Sequence, residues 1–146
     1  MERKALAEKI LVLGVDGLDP RLTSKYVAEG KMPNVAKIIA AGSAREDLVL
    51  LGGVPTVTPP MWTTLATGAY PCTHGITCFW RQSKQQLDML EYNLDSRLCQ
   101  AEQLWNVFVE AGQKTLVWHW PGSSWPPTSD SPLLHVVDGT HPSAVG

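Results

Sequence analysis

Cysteine is scarce in this chain. Cys72, Cys78 and Cys99 are the three in 146 residues, an odd number with no Cys-x-x-Cys spacing. Neither a disulfide framework nor a cysteine zinc site is indicated. An excess of either charge is also lacking: 12 Lys and Arg stand against 14 Asp and Glu, for a formal net charge of -2. With no basic run, there is no reason to expect nucleic acid as a partner. No apolar stretch reaches the length of a membrane span. Residues 1–9 lack the apolar centre that a signal peptide needs, so the cytoplasm is the default expectation. No internal repeat stands out.

What is present is the composition of a folded domain, 44% apolar and 18% charged, which does not favour disorder. At 146 residues there is room for one modest domain with a real core. Six tryptophans and eleven prolines are many for this length. Trp118, Trp120 and Trp125 gather with Pro121, Pro126 and Pro127 in one stretch. That stretch would line a substrate cleft, cover a sheet end or contact another part of a longer protein.

Periodicity gives a coarse order of elements. An almost unbroken apolar run over residues 9–15 is of the length expected for a strand buried on both faces. A helix over about 20–29 follows, then a second from Asn34 with Val35, Ile38 and Ile39 on one face, stopping at Gly42. Asp47-Leu48-Val49-Leu50-Leu51 is strand-like. Residues 77–98 are polar and irregular and suggest an inserted hairpin. A helix over 101–111 is predicted to bury Leu104, Phe108 and Ala111, with Gly112 as its cap. Short strands over 115–118 and 133–137 close the series. Strands alternating with helices favour an α/β fold, a three-layer α/β/α sandwich with a mainly parallel sheet.

Two residues are candidates for chemistry. Asp16 follows the first apolar run and precedes Gly17, at the end of a strand where ligands gather in open α/β sheets. Capping the next helix or holding the turn is its plain alternative, and Asp19 is open to the same reading. Thr58 stands before Pro59-Pro60-Met61-Trp62 and reads as the N-cap of a helix beginning at Pro59. A hydroxyl there faces unpaired amides and the positive end of the helix dipole, where a phosphate would also rest. A capping threonine and nothing more is the plain alternative.

Asp16-Gly17, Met32-Pro33-Asn34, Thr58-x-Pro60, and Thr67-Gly68-x-Tyr70-Pro71-x-x-His74-Gly75-Ile76 occur in this order, with Trp120-Pro121-Gly122 later. This pattern resembles the amino-terminal part of the type I phosphodiesterase and nucleotide pyrophosphatase group of the alkaline phosphatase superfamily. The likeness covers roughly residues 9–122 and is most specific from Thr58 to Ile76. It implies that the nucleophile is Thr58, nine residues before the Thr67-Gly68 pair, with Thr56 as second choice. It implies that Asp16 and Thr58 are ligands within a site of two divalent metal ions, zinc by family habit. The substrate is then a phosphate ester, cleaved through a phosphothreonine intermediate. Three residues after the nucleophile, where nucleotide pyrophosphatases often carry asparagine, this chain has Met61, which leaves the phosphate donor and the substrate open. A sulfatase is disfavoured, because that branch has a cysteine or serine followed by x-Pro-Ser-Arg.

A threonine hydroxyl needs activation at neutral pH. Two zinc ions about 4 Å apart suit in-line displacement, and each needs about three protein ligands. The Asp-His dipeptide that the family carries downstream is absent from this sequence. His74 matches a structural His-Gly turn of the family. His119 and His135 fall on predicted strands as core or edge histidines. Asp138 and His141, three apart, fit a turn better than a shared metal. The resemblance therefore implies that residues 1–146 are an N-terminal part of an alkaline phosphatase-like catalytic domain. A cut sheet would then expose an apolar edge open to association. A non-catalytic fragment or interaction module is the alternative.

Overall fold

A computed structural model describes residues 3–50, 56–124 and 127–138. The chain divides into two compact units, residues 15–51 and residues 1–14 together with 52–146.

The smaller unit holds two helices, α1 (Pro20–Ala28) and α2 (Pro33–Ala41). Each begins on a proline, whose fixed φ and missing amide suit a first helical position. Asp19 caps α1, its carboxylate accepting from the amides of Arg21 at 2.8 Å and Leu22 at 3.0 Å. Those bonds, led by the one from Leu22, hold its pKa below the usual carboxylate value. Asp19 thus takes the capping role that the sequence left open between it and Asp16. Asp16 sits in the turn with Gly17, which has φ +65°. Of the predicted apolar face of α2, Val35 and Ile39 are half-buried and Ile38 is exposed.

The predicted strand over 47–51 does not form across Asp47–Leu50, and Leu51 lies outside the described residues. The Asp47 carboxylate accepts from Arg45 at 2.6 and 2.7 Å and from the Val49 amide at 3.1 Å. Leu48 follows with φ +54°. This closed local loop competes with extension, and the unit offers no described strand to pair with.

The larger unit contains α3 (Thr58–Thr67), α4 (Pro71–His74), β1 (Trp80–Gln82), β2 (Leu90–Tyr92), α5 (Leu104–Glu110), β3 (Thr115–Trp118) and β4 (Leu134–Val137). A 3₁₀ turn, Ser96–Leu98, lies between β2 and α5. β1 and β2 form the expected hairpin, antiparallel, with Arg81 opposite Glu91. Both Arg81 nitrogens reach Glu91 Oε2, at 2.9 and 2.7 Å, and Ser83 Oγ donates to Oε1 at 2.7 Å. β3 and β4 pair in parallel, from Thr115 opposite Leu134 to Trp118 opposite Val137.

The core comprises Ala66, Trp105, Val109, Val117 and Leu134, flanked by Trp120, Leu133 and Val136. α5 is shorter than predicted and buries Trp105 and Val109, while Leu104, Phe108 and Ala111 are half-buried. The face is displaced by one position because Trp105 points into the tryptophan cluster. Gly112 ends the helix as expected, with φ +77° and the Gln113 amide reaching back to the Phe108 carbonyl at 3.0 Å.

The predicted first strand is not formed. Residues 9–15 carry neither helix nor ladder, and their apolar side chains are exposed. The fold is a mixed α/β arrangement with one short parallel and one short antiparallel sheet among the described residues. It stops short of the expected three-layer sandwich.

Candidate active site

Thr58 is the first residue of α3 and Val57 the cap, with φ -117° and ψ 162°. The sequence placed Thr58 itself at the cap, one residue out. The difference matters for anion binding. Pro59 and Pro60 take the next two positions, so two amides that a helix N-terminus normally offers do not exist here. The Met61 amide is already bonded to the Val57 carbonyl at 3.3 Å. What α3 presents around the half-buried Thr58 is its dipole and few backbone donors. Thr56 is exposed, before the helix.

The rest of the block from Thr58 to Ile76 builds the scaffold for α3. Thr63 Oγ1 donates to the Pro59 carbonyl at 2.8 Å, and Thr67 Oγ1 to the Thr63 carbonyl at 2.7 Å. Thr67 Oγ1 also accepts from the Ala69 amide at 3.1 Å. Gly68, at φ +68°, closes the helix with its amide on the Thr64 carbonyl at 2.8 Å. Only a residue free of the Cβ penalty takes that conformation without strain.

His74 is fully buried on α4. Its Nδ1 accepts from the Ile76 amide at 3.1 Å, which leaves the proton on Nε2, facing Thr64 Oγ1 at 3.2 Å and the Pro60 carbonyl. Burial lowers its pKa, and the Pro60 carbonyl opposes the shift in part. The geometry is that of a neutral histidine tying α4 to α3, in line with the structural role expected for it. Thr64 was not singled out from the sequence. The available signal was a threonine on the buried side of α3, ten residues before a histidine.

Tryptophans fasten α3 to the parallel sheet. Trp62 and Trp120 pack edge-to-face at 4.8 Å, and Trp120 meets Trp105 at 6.2 Å. Trp120 Nε1 donates to the Trp62 carbonyl at 3.3 Å. Trp120 therefore belongs to the core margin, whereas Trp118 is exposed and Trp125 lies outside the described residues.

Asp16 belongs to the smaller unit and Thr58 to the larger. Met61 is half-buried. His119 falls just beyond β3, not on it, exposed and at φ +48°, with its amide on the Val137 carbonyl at 2.9 Å. His135 is an exposed residue of β4. Asp138 follows β4 and raises the Tyr92 pKa alongside burial, which is the larger cause; His141 lies outside the described residues. Among the described residues no three His, Cys, Asp or Glu side chains gather as a metal site. The described donor set does not by itself fit the two-zinc arrangement. No described helix is long and apolar enough to cross a membrane.

Comparison with curated proteins and with solved structures found no match. The family model described as Type I phosphodiesterase / nucleotide pyrophosphatase matches residues 10–145. The family comprises metal-dependent hydrolases of small phosphate esters. Since that match runs over most of the sequence and includes both candidate residues, the chain belongs to the type I phosphodiesterase / nucleotide pyrophosphatase family.

Proposed function

We propose that this chain is the front part of an alkaline phosphatase-like α/β/α domain in which Thr58 is the nucleophile of a phosphoric ester hydrolase. The family match over residues 10–145, with Thr58 held on the first turn of a helix locked at its far end, is the observation that supports this most. The Thr58 hydroxyl oxygen forms a bond to phosphorus as the ester P–O bond breaks. The proton lost from the hydroxyl balances the one gained by the departing alcohol. Water then attacks the phosphothreonine and restores the hydroxyl, releasing phosphate where the substrate is a monoester and a phosphate monoester where it is a diester. Two zinc ions with Asp16 among their ligands belong to the proposal by family likeness. The described residues gather no donor set for them, and no step here depends on their placement.

The test is hydrolysis of an aryl phosphodiester with zinc present, joined to acid-quenched mass spectrometry of the Thr58 peptide. A phosphoryl adduct on Thr58, lost with activity in Thr58→Ala and kept in Thr56→Ala, is the expected result. An adduct on Thr56, or activity surviving in Thr58→Ala, would sink the assignment.

A second reading, a non-catalytic interaction module, draws on the exposed apolar face of β3, where Leu116 and Trp118 are uncovered. Zinc stoichiometry by equilibrium dialysis separates the two. Tight zinc with a phosphoryl adduct favours the hydrolase, and neither favours the module.

A further inference from the structure

We infer that Met61 reads the group that stays on phosphorus during the reaction, and that the substrate is a phosphodiester whose retained ester group is apolar, alkyl or aryl. The inference rests on Thr58 being the nucleophile and names the class of substrate that this nucleophile takes.

The starting observation is the narrow face that α3 leaves uncovered. Over residues 58–66 every residue is buried except Thr58, Met61 and Leu65. These stand at i, i+3 and i+7, which places them in one stripe along the helix. Thr58 and Met61 are half-buried and Leu65 is 44% exposed. The remaining faces are committed to packing. Pro59 and Pro60 are fully buried, and Trp62 lies against Gly14 and Trp120. Val57, the cap before Thr58, is exposed at 39%. The open side chains next to the Thr58 hydroxyl are therefore an isopropyl group and a thioether, and neither carries an N–H or O–H donor.

Spacing along the helix sets what Met61 can touch. Side chains at i and i+3 have their β-carbons about 5–6 Å apart, so a phosphorus atom bonded to the Thr58 oxygen lies within reach of the methionine. As that bond forms, the ester bond to the departing alcohol breaks on the opposite side, in line with the attack and farthest from α3. The hydroxyl proton is matched by the one the alcohol takes up. Three substituents stay on phosphorus, and one of them lies beside Met61. A charged oxygen there would lose water to the thioether and gain no hydrogen bond in return. A carbon group gains apolar contact instead, and the unbranched, polarizable methionine adapts to its shape. A monoester retains oxygens alone at these positions, whereas a diester retains one organic group. A nucleoside in that place would lay sugar hydroxyls along the apolar stripe towards Leu65, which has no donor or acceptor to meet them.

The test holds the leaving group constant. With zinc present, the chain is given the methyl, butyl, phenyl and thymidylyl esters of para-nitrophenyl phosphate, and para-nitrophenyl phosphate itself, with the Thr58 adduct followed by mass spectrometry. We expect kcat/KM to rise by about 10-fold or more from methyl to butyl, with the phenyl ester close to the butyl and the thymidylyl ester and the monoester below both. In Met61→Gln, similar in length but polar, the rise from methyl to butyl should shrink to about 2-fold or less, with the urea midpoint reporting that the variant is folded. The series on the parent chain decides by itself if that variant does not fold. A flat series in the parent, or a preference for the thymidylyl ester or the monoester, with the adduct on Thr58 would overturn the inference and leave the nucleophile standing. A rise as steep in folded Met61→Gln as in the parent would also overturn it. Absence of a Thr58 adduct with every ester would remove the nucleophile, and the inference with it.

Discussion

Replacing His74 tests whether the Thr58–Ile76 block serves as scaffold. In His74→Ala the buried Ile76 amide loses its acceptor and Thr64 Oγ1 its imidazole partner. An orphaned buried donor costs about 1–3 kcal/mol. Loss of the ring leaves a hole where the site has no solvent to fill it, which brings the expected total to about 3–5 kcal/mol. For a domain whose whole stability is on the order of 5–15 kcal/mol that is a large fraction.

The pH dependence follows from the lowered pKa. Burial holds the His74 pKa below the ordinary imidazole value of about 6.5 and so keeps the ring neutral in the folded protein. Once the pH falls under that value the unfolded chain binds a proton that the folded chain refuses. Stability is therefore complete above the unfolded pKa and declines as the pH drops toward the folded one, by up to about 1.4 kcal/mol per pH unit. Urea unfolding followed by tryptophan fluorescence, repeated between about pH 8 and pH 5, should show this slope in the parent and a shallower one in His74→Ala. A variant as stable as the parent, or one with an unchanged acid slope, would refute the scaffold account. So would loss of hydrolysis without loss of stability, which would move His74 into the chemistry.

Two substitutions probe other contacts. Gly14→Ala would place its β-carbon 2.2 Å from the Trp62 ring, so the indole or the chain must shift at a cost of about 1–3 kcal/mol. The urea midpoint should fall, and a midpoint equal to the parent's would show that Gly14 is not seated on Trp62. His119 holds φ +48°, a conformation that glycine adopts freely, so His119→Gly should relieve strain and raise stability by about 1 kcal/mol. A lower midpoint would mean that the contact with the Trp118 ring at 5.3 Å outweighs the strain.

The elements legible in the sequence were those fixed by local chemistry. α1 and α2 announce themselves by prolines at their starts, and the end of α5 by Gly112. The hairpin over β1 and β2 follows from the break in helical period. β3 and β4 were visible as short branched runs because each finds the other. The strands that failed, over 9–15 and 47–51, have the same apolar character but lack a described ladder partner. A strand is a statement about two segments, so composition in one of them can name a candidate and cannot supply the pairing.

The site divides along the same line. His74, Thr67 and Gly68 stood out through the family-like motif, and the bonds they make, within ten residues along α3 and α4, are those of the scaffold. Thr58 was found by its place before two prolines, but those same prolines remove the amides that made a helix N-terminus attractive for phosphate. A dipole and a hydroxyl alone do not neutralise a phosphate ester. If Thr58 is the nucleophile, most of the positive charge that balances the phosphate must come from groups other than the first turn of α3. In that case the doubled proline would leave the oxygen atoms of a substrate to be bound from the opposite side. The dependence of hydrolysis on added divalent metal should then be steeper than for a helix with free first-turn amides. Restoring one amide with Pro59→Ala should reduce the metal concentration needed for half-maximal activity. No change in that concentration would show that the backbone at this turn is not near the phosphate at all.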